Sequence, residues 1–155
     1  MRRNTAGAAG GTGLRALRTL ARREVSEAAL REALRRSGLG EDEVEAELQA
    51  VIRLGALDDR RSARARARAL VLRGGWARGA MLARLIQQGY AVPLAEEALT
   101  EVLRDEGWDA RTTAARLILR GEPLRRSVRR LLARGFDAAL VRELLPGVEG
   151  MEEGG

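Results

Sequence analysis

The stretch Leu131-Leu132-Ala133-Arg134-Gly135-Phe136-Asp137 decides how this chain folds. A Leu-rich run ends on Gly, an aromatic residue follows, and an acidic residue stands where a new helix would begin. Gly accepts the left-handed conformation that closes a helix, and the apolar residue after it packs back over the last turn. Asp137 suits the free N–H groups of the next helix. The motif reads as helix, cap, helix.

It recurs twice upstream. Gly38, Gly89 and Gly135 each have Leu four residues before (Leu34, Leu85, Leu131) and an apolar residue directly after (Leu39, Tyr90, Phe136). Ten residues beyond each Gly is Leu again (Leu48, Leu99, Leu145), and thirteen beyond is Val (Val51, Val102, Val148). The result is a degenerate repeat of roughly 46 to 51 residues, a period typical of stacked helical units.

Helical periodicity punctuated by Gly extends outward from these caps. A first helix is expected from about Leu14 to Arg23. A second runs from Glu27 to Arg36, capped by Ser26 and stopped by Gly38. A third spans Glu41 to Leu54, and a fourth, capped by Asp58, reaches Leu72 before Gly74-Gly75. A fifth runs from Ala77 to Gln88. Pro93 opens a sixth lasting to Arg104, as Pro can in a first helical turn. Asp109 caps a seventh to Arg120, Pro123 opens an eighth to Arg134, and Asp137 caps a ninth ending before Pro146. These nine helices make an all-α chain of three tandem three-helix repeats: residues 14–57, 58–106 and 107–148. Residues 1–13 and 149–155 read as disordered tails.

Composition narrows the chemistry. Of 155 residues only four are aromatic, and the apolar stock is mostly Ala and Leu, which favour helix over strand. There is no Cys, His or Lys. Disulfides and thiolate metal sites are thereby excluded, and the commonest general base and metal ligand are missing. No catalytic residues, cofactor or metal site are expected. No apolar run approaches the roughly 20 residues of a membrane span, and the N-terminus has no secretory apolar stretch. A cytoplasmic monomer is the expectation.

The net charge is +6, and every side-chain cation is Arg. The run from Arg60 to Arg84 holds no acid, and that from Arg111 to Arg134 holds only Glu122. The third helices are the reverse, with Glu41, Asp42, Glu43, Glu45 and Glu47, then Glu96, Glu97, Glu101, Asp105 and Glu106. The first two helices of each repeat thus read as basic surface, and the third as an acidic, solvated face paired within the molecule.

At the junction of the first two repeats stands Gly55-Ala56-Leu57-Asp58-Asp59-Arg60-Arg61-Ser62-Ala63-Arg64. Asp58 or Asp59 suits the cap and dipole of the fourth helix. Arg60, Arg64 and Arg68 then share one stripe, flanked by Arg61. This junction, the opening Ala21-Arg22-Arg23-Glu24-Val25-Ser26 with Leu30, Arg31 and Leu34, and the later Arg134-Gly135-Phe136 resemble the RecX family, bacterial regulators of the RecA recombinase. The likeness spans about Leu14 to Leu145. Ala56, Ser62 and Arg66 stand where that family usually carries aromatics, and Gly75-Trp76-Ala77-Arg78 replaces its usual Gly-Pro.

The resemblance implies an elongated, curved array lodged in the groove of the RecA–single-stranded DNA filament. There it would suppress ATP hydrolysis, strand exchange and co-protease activity, and so act in homologous recombination, DNA repair and the SOS response. Binding to bare single-stranded DNA would be weak or indirect. Charge density, separately, singles out Arg60, Arg61, Arg64, Arg68, Arg125, Arg126, Arg129 and Arg130 as contact residues. Arg125/Arg129 and Arg126/Arg130 form two i,i+4 rows that are hard to bury. Trp76 and Trp108, each following a Gly, read as packing residues before base-stacking ones. Two other readings stay open: a repeat protein that binds DNA directly without RecA, and a scaffold for an acidic protein.

Overall fold

A computed structural model describes residues 13–147. Among the described residues there are nine helices and no strand: α1 (Leu14–Leu20), α2 (Glu27–Arg36), α3 (Glu41–Arg53), α4 (Asp59–Arg73), α5 (Arg78–Gln87), α6 (Val92–Asp105), α7 (Ala110–Ala115), α8 (Leu124–Ala133) and α9 (Ala138–Leu144). The all-α expectation holds. Val148 and most of both expected tails lie outside the described residues. Gly13, read as the end of the first tail, is buried at a φ of 91° as the N-cap of α1.

The expected caps form from local sequence. Ser26 Oγ accepts from Ala29 N at 3.1 Å. Asp58, Asp109 and Asp137 accept from the N–H three residues on, at 3.2, 2.7 and 2.8 Å. At the other helix ends Gly38, Gly55, Gly89, Gly107 and Gly135 have positive φ. After four of them the next N–H reaches back five residues: Ala56 to Val51 O, Tyr90 to Leu85 O, Trp108 to Leu103 O and Phe136 to Leu131 O. Each closes a carbonyl that the helix leaves open.

Two helices are shorter than their periodicity suggests. α1 stops at Leu20 rather than Arg23, with Ala21 as its C-cap. α7 stops at Ala115 rather than Arg120. Past Ala115 the turns tighten, with Leu117 N donating to Ala114 O at 3.0 Å and Ile118 N to Ala115 O at 3.2 Å, and Arg130 Nη1 donates to Leu117 O at 2.7 Å. Leu117 and Ile118 turn inward instead and pack on the core of that region.

The chain forms two compact units, one reaching Arg66 and including Leu85–Ala95, the other comprising Ala67–Arg84 and the residues from Glu96. The core of the first is Ala16, Val25, Leu30, Leu34, Val44, Leu48, Val51 and Leu57. The second is built on Ala77, Ala114, Leu131, Phe136, Val141 and Leu145. Burial of such side chains, at about 1.5–3 kcal/mol for each large one, drives the packing of both.

One device occurs in each unit. In the first, a Cβ on Gly89 would lie 2.6 Å from Ser26 Oγ at the start of α2, and Ser26 Oγ donates to Gln88 O at 2.6 Å. In the second, a Cβ on Gly135 would lie 3.0 Å from the Ala80 Cβ near the start of α5, and Ala77 N donates to Arg134 O at 3.0 Å. The capping Gly after α5 thus sits against the start of α2, and that after α8 against the start of α5. Gly is required there both for its conformation and for its missing side chain.

Ser62, in a position where the RecX resemblance leads one to expect Phe, is buried in the first unit. Its hydroxyl donates to Val25 O at 3.2 Å and shares a short hydrogen bond with the Tyr90 hydroxyl. Arg66 Nε donates to Gln88 Oε1 at 3.2 Å. The aromatic filling of this region comes from Tyr90, 28 residues away in sequence.

Candidate functional site

The acidic helices lie against arginines of their own unit. Arg31 meets Glu45 at 2.8 Å and Arg35 meets Glu41 at 2.7 Å in the first unit. Arg68 meets Glu106 at 2.8 Å and Arg78 meets Glu96 at 3.6 Å in the second. Side-chain hydrogen bonds from Arg35 and Arg31 hold the carboxyls of Glu41 and Glu45 below the usual range. Glu47 departs from the expected solvated face. It is buried and accepts from Ala16 N at 3.1 Å, fixing the first turn of α1 to α3.

The eight candidate arginines do not share one role. Arg61 is exposed but donates to Gly55 O at 3.1 Å and Ala56 O at 3.0 Å, and so ties down the chain between α3 and α4. Arg60 and Arg64 are exposed on α4 and interact with other residues. Arg68 is committed to Glu106. Asp58 caps α4, while Asp59 turns away and accepts from Glu27 N at 2.8 Å, joining the starts of α4 and α2. Burial raises the Asp59 carboxyl above its ordinary value, against the opposing effect of the Glu27 N–H.

On α8 the double row splits. Arg130 turns inward, pairing with Glu122 through both guanidinium nitrogens and donating to Leu117 O. Glu122 is 7% exposed and also accepts from Ser127 Oγ at 2.9 Å. The Arg130 hydrogen bond holds the Glu122 carboxyl below the usual range, and the Arg130 guanidinium is raised in turn. The expectation that both rows face solvent is therefore corrected for Arg130, which is half-buried and bonded within its own unit. Arg125, Arg126 and Arg129 are exposed and make no ion pair among the described residues.

Sequence reasoning passed over further exposed arginines that also lack such a pair, among them Arg18 in the last turn of α1, Arg22 and Arg23 after it, and Arg116 after α7. For Arg18, Arg22 and Arg116 the signal was the absence of an acid three or four residues away in sequence, the spacing at which helical partners sit. Arg18, Arg22 and Arg23 line a shallow cleft with Thr19. Such a set of guanidiniums can hold phosphate or carboxylate groups by bidentate, charge-assisted hydrogen bonds. Among the described residues no group of carboxylates could hold a metal ion, and no helix is long and apolar enough to cross a membrane.

Trp76 packs as expected. Arg84 lies over its ring at 3.9 Å and Arg134 at 4.5 Å, a pair of cation–π contacts.

The chain matches no family model. It is 39% identical over 87 residues to a protein of Syntrophotalea carbinolica called regulatory protein RecX, a match covering 56% of this chain and 57% of that relative. The chain thus spans little more than half the length of this curated relative. In fold it is similar to a crystal structure of regulatory protein RecX, with a TM-score of 0.66 at 22% identity over 84% of this chain and 69% of the other. It is likewise similar to the crystal structure of RecX from Lactobacillus salivarius, with a TM-score of 0.63 at 18% identity over 87% and 92% of the two chains.

Proposed function

From a resemblance to the RecX family that holds in both sequence and fold, we propose that this chain is a regulator that binds the RecA–single-stranded DNA filament. It lowers the filament's ATP hydrolysis, strand exchange and co-protease activity by binding alone, as a cytoplasmic monomer. The observation that carries this reading is the 39% identity to regulatory protein RecX. The exposed arginines supply the means.

The mechanism follows from preferential binding. A ligand shifts the equilibria of a filament only by its difference in affinity between states. Arg125, Arg126 and Arg129 project from one exposed face of α8 and make no ion pair among the described residues. They contact phosphates or carboxylates of the filament. Arg60 and Arg64 on α4 give the first unit a basic stripe of its own, while Arg61, Arg68 and Arg130 hold the protein's own structure.

The test is binding to labelled single-stranded DNA, bare and pre-coated with RecA in the presence of a non-hydrolysable nucleotide. The filament should bind much more tightly, and binding to bare strand should fall steeply with salt as released counterions require. Equal or tighter binding to bare DNA would instead establish direct DNA binding without RecA. Indifference to both would leave an acidic protein as the partner.

A further inference from the structure

A cleft of about 630 Å³ opens in the second unit beside the turn after α4 and the junction of α6 with α7. Its volume lies within the range of small-ligand sites, about 300–1,000 Å³. Its walls carry Arg73, Arg116 and Arg134 against Glu106 and Asp109, with Trp108 on one side. Both acids are already engaged. Glu106 pairs with Arg68 at 2.8 Å, and Asp109 accepts from Thr112 N at 2.7 Å. Arg134 lies over Trp76. Arg73 and Arg116 are exposed and have no ion pair among the described residues, so the cleft presents two uncompensated guanidiniums.

Trp108 gives the cleft an aromatic wall. It closes the Gly107 cap of α6, its N–H reaching Leu103 O at 2.9 Å. Tyr90 and Phe136 hold the same position after their own capping glycines and are 2% and 4% exposed. Trp108 stays only half-buried and lines the cleft. Closing a cap therefore does not use the whole indole. Trp76, with two guanidiniums already over its ring, cannot offer a face in the same way.

We infer that this cleft binds one nucleotide of a single-stranded nucleic acid, with the base on Trp108 and the adjoining phosphates on Arg73 and Arg116. Aromatic faces take bases of any sequence once these are unstacked, and guanidiniums track the backbone beside them. A base inside a duplex is stacked and paired on both sides and has no face to give. The inference deepens the filament reading, since it names which component of a nucleoprotein filament this cleft contacts.

The experiment needs no RecA. The full chain, in a Trp76→Phe background so that emission reports Trp108 alone, is titrated at low salt with a single-stranded oligo(dT). Emission should be quenched as the strand binds. Stacking on an aromatic is worth about 1–3 kcal/mol per base, so Trp108→Leu, read by the anisotropy of a fluorescein-labelled oligo(dT), should weaken binding by about 5- to 150-fold. Trp108→Phe, which keeps an aromatic face, should restore most of it. Arg73→Gln and Arg116→Gln should each flatten the dependence of log K on log salt by about 0.7. Circular dichroism establishes that each variant is folded.

Undiminished binding by Trp108→Leu would overturn the inference, as would equal quenching by a duplex or a polyglutamate peptide. If the cleft variants bind oligo(dT) normally while the parent still inhibits RecA, only the cleft assignment fails. If oligo(dT) quenches Trp108 as described but RecA is untouched, only the filament reading fails.

Discussion

Replacing Gly89 with Ala probes the contact on which the packing of the first unit depends. Gly89 has a φ of 96°, a conformation costing an L-residue about 1–2 kcal/mol. The added Cβ would also lie 2.6 Å from Ser26 Oγ and 3.0 Å from the Ala28 Cβ. Ser26 Oγ cannot withdraw freely, because it accepts from Ala29 N and donates to Gln88 O. Losing an N-cap of this type costs about 0.5–2 kcal/mol. Gly89→Ala should therefore destabilise by about 2–4 kcal/mol. Gly38→Ala is the control: φ is 91°, and nothing lies within 4 Å of the new Cβ, so only the conformational cost of about 1–2 kcal/mol applies. Both positions are in one unit, so urea unfolding followed by circular dichroism reads them on the same transition. In a Ser26→Ala background the penalty of Gly89→Ala should drop toward that of Gly38→Ala. Equal costs for the two single variants, or a Gly89 penalty indifferent to Ser26, would refute the reasoning.

Tyr90 is the chain's one tyrosine, so ultraviolet absorbance reads its ionisation directly. Burial raises its phenol above the ordinary value of about 10, so the folded protein should titrate later than the urea-unfolded chain. Tyr90 then contributes stability below pH about 10 that is lost as pH rises through the folded value; coincident titrations would contradict its burial. Arg130 holds Glu122 below the usual carboxyl range, so that pair stabilises above about pH 4.5 and its contribution disappears as pH falls through the depressed value. Arg130→Gln should lower the thermal midpoint at pH 7 and flatten its decline between about pH 5 and 3; an unchanged acid profile would mean the pair is idle. Reversing Arg125, Arg126 and Arg129 to Glu while keeping Arg130 should abolish RecA inhibition and leave the thermal midpoint within a few degrees. Full inhibition by that triple variant would move the contact surface off α8.

The glycine caps were legible because their cause is local. A left-handed residue followed by an apolar one is written in two adjacent positions, and the structure has it after α2, α5 and α8. The N-caps Ser26, Asp58, Asp109 and Asp137 are local for the same reason. What sequence spacing hides is the partner that arrives from elsewhere. The i,i+4 pattern on α8 shows which arginines share a face but not that Glu122 and Leu117 O wait beneath Arg130. Ser62 reads as a depleted core position until Tyr90 is brought over it. Glu47 looks solvated among its acidic neighbours until Ala16 N meets it, 31 residues away. Of the candidate site, the sequence showed where cations are dense. The structure divided them into those engaged within the chain and those that make no ion pair among the described residues.

The proposed function turns on the RecA filament as target. Its most direct measurement is the rate of ATP hydrolysis by RecA on single-stranded DNA as the purified chain is added. The rate should fall at stoichiometric or lower ratios to RecA. An unchanged rate at stoichiometric protein, with the chain shown to be folded, would contradict it.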